Sequence, residues 1–128
     1  MSLLSGANPI VWVEVPARDL SRAREFYSAV FDIEMPLLDL GDLHFAFFPM
    51  TQEAPNSACA LIQHPTMYTP SHDGPLVYFA VTDIEQVLER VERSGGRIFQ
   101  HKKDVGEFGF VGFFEDSEGN RIGLHTRR

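Results

Sequence analysis

With 128 residues, of which 44% are hydrophobic, the chain is long enough for one folded domain with a sizeable core. Eighteen acidic against eleven basic residues give a net charge of −7, which argues against nucleic-acid binding, since that needs Lys and Arg at phosphates. The single cysteine, Cys59, excludes an internal disulfide and a cysteine-rich zinc site. No apolar run approaches the roughly 20 residues that span a bilayer, and residues 1–6 do not have the pattern of a signal peptide. We therefore expect a cytoplasmic protein with no nucleic-acid or membrane partner.

The first half of the chain predicts one strand, one helix and three further strands. Residues 10–15 are typical of a largely buried strand that Pro16 ends. Asp19 is a good helix N-cap, because its carboxylate can accept hydrogen bonds from the free amides of the first turn. Apolar residues then recur at helical spacing, at Leu20, Ala23, Phe26, Tyr27, Val30 and Phe31. The next strands are predicted over residues 35–40, 44–48 and 57–63.

The second half repeats this order after a connection at residues 65–73. A strand is predicted over residues 76–81, and Asp83 is expected to cap a helix, with Gln86 placed for a capping box. Gly95 is expected to end that helix in the left-handed conformation. Further strands are predicted over residues 97–100, 110–115 and 121–125. The chain is thus predicted to be a single domain, residues 1–128, of two βαβββ modules at about 8–64 and 74–126.

The two halves also resemble each other residue by residue. Aligning Pro9 with Pro75 places Trp12 opposite Tyr78. In this alignment the first copy carries two extra residues before its N-cap Asp, and Pro16 and Ala17 are the natural candidates. A strand–helix unit repeated in this way suggests a functional site between the two modules.

Three segments carry a resemblance to a known family over essentially the whole chain. They are Asp19 to Ala23 followed by Phe26 to Phe31, then Val81 to Ile84 followed by Gly95-Gly96, and finally Phe114 to His125. Taken in order, they resemble the vicinal oxygen chelate superfamily, which includes glyoxalase I, bleomycin resistance proteins and extradiol dioxygenases. The resemblance implies an α+β fold in which two βαβββ modules form a curved open sheet around a cavity. It also implies modules that often assemble across a homodimer, and a divalent metal that polarises vicinal oxygens of the substrate.

The metal positions that this resemblance implies hold residues without donor side chains. The first-strand ligand falls at Leu76 in the second module and at Trp12 or Ile10 in the first. The last-strand position holds Gly123, and residues 57–62 offer no carboxylate or imidazole. We therefore expect no metal and no other cofactor, which disfavours glyoxalase-type isomerisation and extradiol oxygenation.

One displaced metal site stays open as an alternative. Side chains alternate faces along a strand, so that Glu14 and His125 are both expected to point into the cavity. Together with His44 they would form a possible site for zinc or nickel.

The candidate ligand-binding residues are those expected on the concave side of the sheet: Trp12, Glu14, Tyr78, Arg121 and His125. Arg121 is a possible partner of Glu14 or of an anionic ligand. We predict metal-independent binding of a small molecule in an aromatic, partly acidic cavity.

Two other functions remain alternatives. One is a lactoylglutathione-lyase-like isomerase or lyase, with a displaced metal or with Glu14 and His125 as an acid–base pair. The other is a dimerisation or partner-binding module. Cys59, flanked by Ala58 and Ala60, is expected to be a buried structural thiol.

Overall fold

The computed structural model describes residues 4–128, and residues 1–3, part of the segment considered above for a signal peptide, lie outside it. The first module comprises β1 (Trp12–Pro16), α1 (Leu20–Phe31), β2 (Leu37–Leu40), β3 (Leu43–Phe47) and β4 (Ala58–Gln63). The second comprises β5 (Val77–Ala80), α2 (Ile84–Arg93), β6 (Arg97–Asp104), a 3₁₀ turn (Gly106–Phe108), β7 (Phe110–Glu115) and β8 (Arg121–Thr126). The predicted α+β class and the repeated βαβββ order are confirmed. Within residues 4–128 neither helix is long and apolar enough to cross a membrane.

Each module forms its own four-stranded sheet. The strand order is β1-β4-β3-β2 in the first sheet and β5-β8-β7-β6 in the second. In both sheets the first and last strands of the module run parallel, with Glu14 beside Ala60 and Tyr78 beside Gly123. All other neighbouring strands are antiparallel. No strand pairing joins the two sheets within residues 4–128, so the open sheet predicted for the pair of modules is divided into two.

Both helices begin at the predicted N-caps. The Asp19 carboxylate accepts a hydrogen bond from the Arg22 amide at 3.1 Å, and Asp83 accepts one from the Gln86 amide at 3.1 Å. Beyond the end of α2, Gly95 has a φ of 95°, as predicted from its position. The end of α1 was not predicted, because Asp32, with a φ of 53°, takes the left-handed conformation that glycine usually provides.

The core lies between the two sheets and contains the apolar sides of both helices. Buried residues of α1 and α2 join buried residues of both sheets in one continuous cluster. The helix α1 contacts the second module directly, since the Phe26 ring lies 6.2 Å from that of Phe114 and the Tyr27 ring 6.2 Å from that of Phe79. We call the helix-contacting face of each sheet its inner face and the opposite face its outer face, and successive residues of a strand alternate between them.

The strand register corrects the alignment of the two modules. Pro16 ends β1 and pairs with Ile62, while Ala80 ends β5 and pairs with His125. In both modules the N-cap Asp follows three positions later, so the modules align at a constant offset of 64 positions from the first strand into the helix. The first copy therefore has no two-residue insertion.

This correction changes which residues are equivalent. Tyr78 corresponds to Glu14 rather than to Trp12, and Trp12 corresponds to Leu76. The alignment of Pro9 with Pro75 was wrong because both prolines precede the paired strands, where nothing fixes the register.

Candidate functional site

The outer face of the first sheet is an aromatic and aliphatic surface. Phe45, Ala60 and Ile62 are buried there in a second, smaller hydrophobic cluster, and Phe47 and Tyr68 pack against it. The rings of Phe45 and Phe47 stack with centroids 5.8 Å apart, and the Trp12 ring lies 6.2 Å from that of Phe47. Alternation in β2, which pairs with β3, adds Leu38 and Leu40 to the same face. We call this surface, with Trp12, Glu14, Leu38, Leu40, Leu43, Phe45, Phe47, Ala60, Ile62 and Tyr68, the aromatic face.

Glu14 is the acidic group of the aromatic face. Its carboxylate accepts a hydrogen bond from the indole Nε1 of Trp12 at 3.2 Å and one from the Tyr68 hydroxyl at 2.8 Å. The bond to Glu14 raises the pKa of the Tyr68 hydroxyl above its ordinary value, which keeps the hydroxyl a donor. Two aromatic side chains thus hold one carboxylate on the sheet surface, and the predicted pair Trp12 and Glu14 is brought together.

Tyr68 was missed by the sequence interpretation. It lies in the connection between the modules, which folds back over the aromatic face and brings its hydroxyl to Glu14. A tyrosine flanked by irregular, proline-containing chain carries no periodic signal that would place it beside a particular strand.

Part of the aromatic face is exposed to solvent in the single chain. Trp12 is 38% exposed, Leu38 42% and Leu40 56%, all large apolar side chains. A contiguous exposed patch of this kind marks a place where a ligand or another chain binds.

The outer face of the second sheet carries the other predicted site residues. The Tyr78 ring lies over Gly123, where a Cβ atom would come within 2.7 Å of it, and 5.7 Å from the Phe113 ring. His125 contacts the carbonyl oxygen of Phe108 through Nε2 at 2.6 Å. The Arg121 backbone amide donates to Ser71 across 3.3 Å. Tyr78 pairs in register with Gly123, and alternation along β8 places the Arg121 and His125 side chains on the same face.

The five predicted residues form two groups, one in each sheet. Within residues 4–128 no aromatic contact joins Trp12 to Tyr78, and no hydrogen bond or ion pair joins Glu14 to Arg121 or His125. The suggested pairing of Arg121 with Glu14 is not observed, because Arg121 lies in β8 of the other sheet, and the Glu14 carboxylate accepts from Trp12 and Tyr68 instead.

The donor set does not fit a metal ion at either predicted location. In the first strands of the two modules, the implied ligand positions hold Trp12 and Leu76. In the last strands, Ala60 lies beside Glu14 and Gly123 beside Tyr78, and neither Ala60 nor Gly123 has a side chain that binds metal. Within residues 4–128 no three His, Cys, Asp or Glu side chains come together in a way that could hold a metal ion.

The three residues of the alternative, displaced metal site, Glu14, His44 and His125, also lie in different parts of the molecule. His44 pairs in register with Gln63, on the inner side of the first sheet, and binds Asp39 at 2.7 Å. Glu14 lies on the outer face of that sheet, and His125 lies in the other sheet.

Two open clefts lie where the modules meet. The larger, of about 1480 Å³, includes Tyr78, and the smaller, of about 910 Å³, lies at the start of α2. His125 lines both clefts. Cys59 lines both clefts, and burial raises the pKa of its thiol to about 12. The thiol is therefore protonated and unreactive at neutral pH, as expected of a structural cysteine.

Solved structures with the same fold include both enzymes and binding proteins. A glyoxylase/bleomycin resistance protein/dioxygenase domain from Frankia sp. EAN1pec has a TM-score of 0.72 and 21% identity, covering 98% of this chain and 93% of that one. An antibiotic-binding protein from Streptomyces sp. CB03234 has a TM-score of 0.65 and 20% identity, and the match covers 98% of this chain and 100% of that protein. A mutant glyoxalase I from Zea mays has a TM-score of 0.68 and 17% identity, covering 92% of this chain but 46% of that one. At these identities the likeness shows the fold alone.

Sequence relatives are longer than this chain. Proteins named "Putative glyoxylase CFP32" from Mycobacterium bovis and Mycobacterium tuberculosis are each 26% identical over 127 residues. The match covers 88% of this chain, which spans 43% of the length of each relative. Residues 9–124 match the family model described as the Glyoxalase/Bleomycin resistance protein/Dioxygenase superfamily. The chain belongs to this superfamily.

Proposed function

We propose that the aromatic face binds a small organic cation with an aromatic or apolar body, and that it does so without a metal ion. The observation that carries the proposal is Glu14, a carboxylate fixed by Trp12 and Tyr68 on the edge strand β1, beside the apolar side chains of the aromatic face. An ammonium group near Glu14 would also lie close to the rings of Trp12 and Phe47. A cation over an aromatic ring gains about 0.5–2 kcal/mol, and the apolar body gains from leaving water.

Two further observations support a cationic ligand. The net charge of −7 attracts cations over the whole surface. The antibiotic-binding protein from Streptomyces has the same fold, which is therefore compatible with binding a small molecule.

We also propose that a second copy of the chain covers the aromatic face and encloses the ligand. Leu38 and Leu40 are apolar and exposed at the edge of this face, where a partner would bury them. Light scattering after gel filtration should then give twice the 14.5 kDa mass of the chain. The variant Leu40→Lys should give the single-chain mass, and a monomeric wild-type protein would contradict this part of the proposal.

The lyase-like alternative receives no support from the arrangement of its residues. An acid–base pair must act on one substrate, whereas Glu14 and His125 lie in different sheets and have separate partners, the Tyr68 hydroxyl and the Phe108 carbonyl oxygen. A partner-binding module without a small ligand is the outcome to expect if the dimer forms and none of the probes below binds.

Trp12 is the only tryptophan of the chain and a direct reporter of this face. We propose titrations followed by tryptophan emission with benzyltrimethylammonium, benzyl alcohol and benzoate, which share a ring but differ in charge. The cation should give a saturable change, the alcohol a weaker one and benzoate none. Equal responses to all three probes, or no saturable response to the cation, would contradict a cation site.

Metal independence is tested in the same titration. Protein dialysed against EDTA should bind benzyltrimethylammonium with unchanged affinity, because no described donor cluster takes part. Loss of binding after dialysis, restored by zinc or nickel, would overturn that part of the proposal.

A further inference from the structure

The N-terminus of α1 holds a carboxylate supplied by the other module. Glu118, in the turn between β7 and β8, is 4% exposed. Its Oε1 accepts hydrogen bonds from the backbone amides of Arg18 and Asp19, both at 2.8 Å. The Arg22 guanidinium donates to the same carboxylate at 2.8 and 3.0 Å. One half of the molecule thus contains a complete carboxylate-binding arrangement.

The corresponding place at α2 has no such carboxylate. At the constant offset between the modules, Arg18, Asp19 and Arg22 correspond to Thr82, Asp83 and Gln86. Within residues 4–128, no group accepts a hydrogen bond from the amides of Thr82 or Asp83. The chain between β3 and β4 lies where the β7–β8 turn lies in the other half, and it approaches with Asn56 and Ser57 rather than with an acidic side chain.

The smaller of the two clefts opens at this place. Three aromatic rings form its apolar wall, with the Phe79 centroid 5.0 Å from those of Phe31 and Phe48. Its volume of about 910 Å³ lies within the roughly 300–1,000 Å³ of small-molecule sites. The cleft is therefore large enough for a ring-bearing ligand beside the helix terminus.

The charge of this cleft is opposite to that of the protein as a whole. Arg90, Arg127 and His125 line it, and Asp83 is its one acidic residue among those that the structure describes. The Arg90 guanidinium also donates to the Val30 carbonyl oxygen at 3.5 Å. The Asp83 carboxylate is engaged as the N-cap of α2, where it accepts from the Gln86 amide. Two guanidinium groups beside an aromatic wall favour an anion with an apolar body.

We propose that this cleft binds a small aromatic carboxylate, with its ring against Phe79 and its carboxylate near Arg90 and Arg127. The amides of Thr82 and Asp83 would then bind the ligand as the amides of Arg18 and Asp19 bind Glu118. This site is separate from the aromatic face, because neither Trp12 nor Glu14 lines the cleft. It therefore goes beyond the cation binding proposed above.

Benzoate is the probe for this site, and amide chemical shifts of the full-length chain are the readout. Benzoate at millimolar concentration should shift the Thr82 and Asp83 amide resonances in a saturable way and leave the Trp12 indole resonance unchanged. Benzyl alcohol should shift them much less, because it lacks the charge. The absence of a saturable shift at these two amides would overturn the proposal, whatever the result of the Trp12 titrations with the cation.

Three variants sharpen the test. Gln86→Arg recreates at α2 the guanidinium that Arg22 provides at α1, and it should tighten benzoate binding about tenfold. Arg127→Gln should weaken it, and Arg93→Gln, which removes an exposed arginine of the same helix outside the cleft lining, should leave it unchanged. If Gln86→Arg has no effect, or Arg93→Gln weakens binding as much as Arg127→Gln, the cleft is not the site.

Discussion

The two modules have the same backbone plan but carry different chemistry at equivalent positions. In the first sheet Glu14 lies beside Ala60 and is held by Trp12 and Tyr68 on an apolar surface. In the second sheet the equivalent residue, Tyr78, lies over Gly123. Side chains of the outer faces point away from the shared core, so a duplicated backbone leaves them free to diverge. The two outer faces thus carry a carboxylate in the first sheet and a tyrosine ring over a glycine in the second.

The helix N-termini differ in the same way. The second module supplies Glu118 to α1, whereas the first module supplies no acidic group to α2 and leaves a cleft there. At α1 the Glu118 carboxylate joins the two modules through the Arg18 and Asp19 amides and the Arg22 guanidinium, and we call this cluster the clasp. The equivalent place at α2 is a candidate ligand site.

The largest expected effect comes from breaking the clasp at α1. Glu118→Gln removes a buried charge that two amides and the Arg22 guanidinium bind. We expect the free energy of unfolding in urea to fall by about 2–3 kcal/mol. The control Glu89→Gln removes an exposed partner of Arg93, at 3.9 Å, and should change it by less than about 0.5 kcal/mol. Equal effects of the two variants would contradict the clasp.

The same clasp should depend on pH. Burial alone would raise the pKa of Glu118, but the hydrogen bonds from Arg22, the Asp19 amide and Ser117 hold it below the ordinary value of 4.5. The stabilisation is therefore present above pH 4.5 and is lost as the pH falls through the lower pKa of the folded state.

The stability difference between wild type and Glu118→Gln should accordingly shrink between about pH 6 and about pH 3. Burial raises the pKa of Asp116, so its contribution to the free energy of unfolding has the opposite pH dependence. Asp116 is present in both proteins, and its contribution therefore cancels when their stabilities are subtracted. A difference that is constant over this range would show that the charge of Glu118 contributes nothing.

A smaller loss of stability is expected when the buried hydrogen bond between Tyr27 of α1 and Asp116 of the second module is removed. The Tyr27 hydroxyl donates to Asp116 at 2.6 Å, and burial together with that carboxylate raises the pKa of Tyr27 well above its ordinary value. Tyr27→Phe should lower the free energy of unfolding by about 1–2 kcal/mol, because a buried carboxylate loses a donor. Tyr78→Phe, on an exposed ring, is the matched control and should change it little. The interpretation fails if the two substitutions cost the same.

The smallest expected effect tests the divergence at the outer faces. Gly123→Ala places a Cβ 2.7 Å from the Tyr78 ring, which is 48% exposed and can move aside. Thermal unfolding should show a cost of about 1 kcal/mol that disappears in the Tyr78→Ala background. A cost that persists without the ring would mean that the backbone, not Tyr78, requires glycine there.

The elements and their order could be predicted because their signals are local. Asp19 and Asp83 precede apolar residues at helical spacing, and both cap helices as predicted. The end of β6 was missed because residues 101–104 are polar and the register shifts between Gln100 and Lys103. An exposed strand with such an irregularity loses the alternation that marks a strand.

The arrangement of the candidate site could be predicted only in part. Alternation placed Trp12 and Glu14 on one strand face, and the structure brings them together. Their separation from Tyr78 and His125 depends on how the two sheets pack around the helices, which no local pattern encodes. The same holds for Glu118, whose contacts with α1 join residues about a hundred positions apart.

The most direct test of the aromatic face is the affinity of Glu14→Gln for benzyltrimethylammonium, measured by Trp12 emission beside wild type and Tyr78→Phe. Glutamine keeps the size of the side chain and removes its charge. We predict that binding weakens about tenfold in Glu14→Gln and is unchanged in Tyr78→Phe. Equal affinity of Glu14→Gln and wild type would contradict a cation site at Glu14.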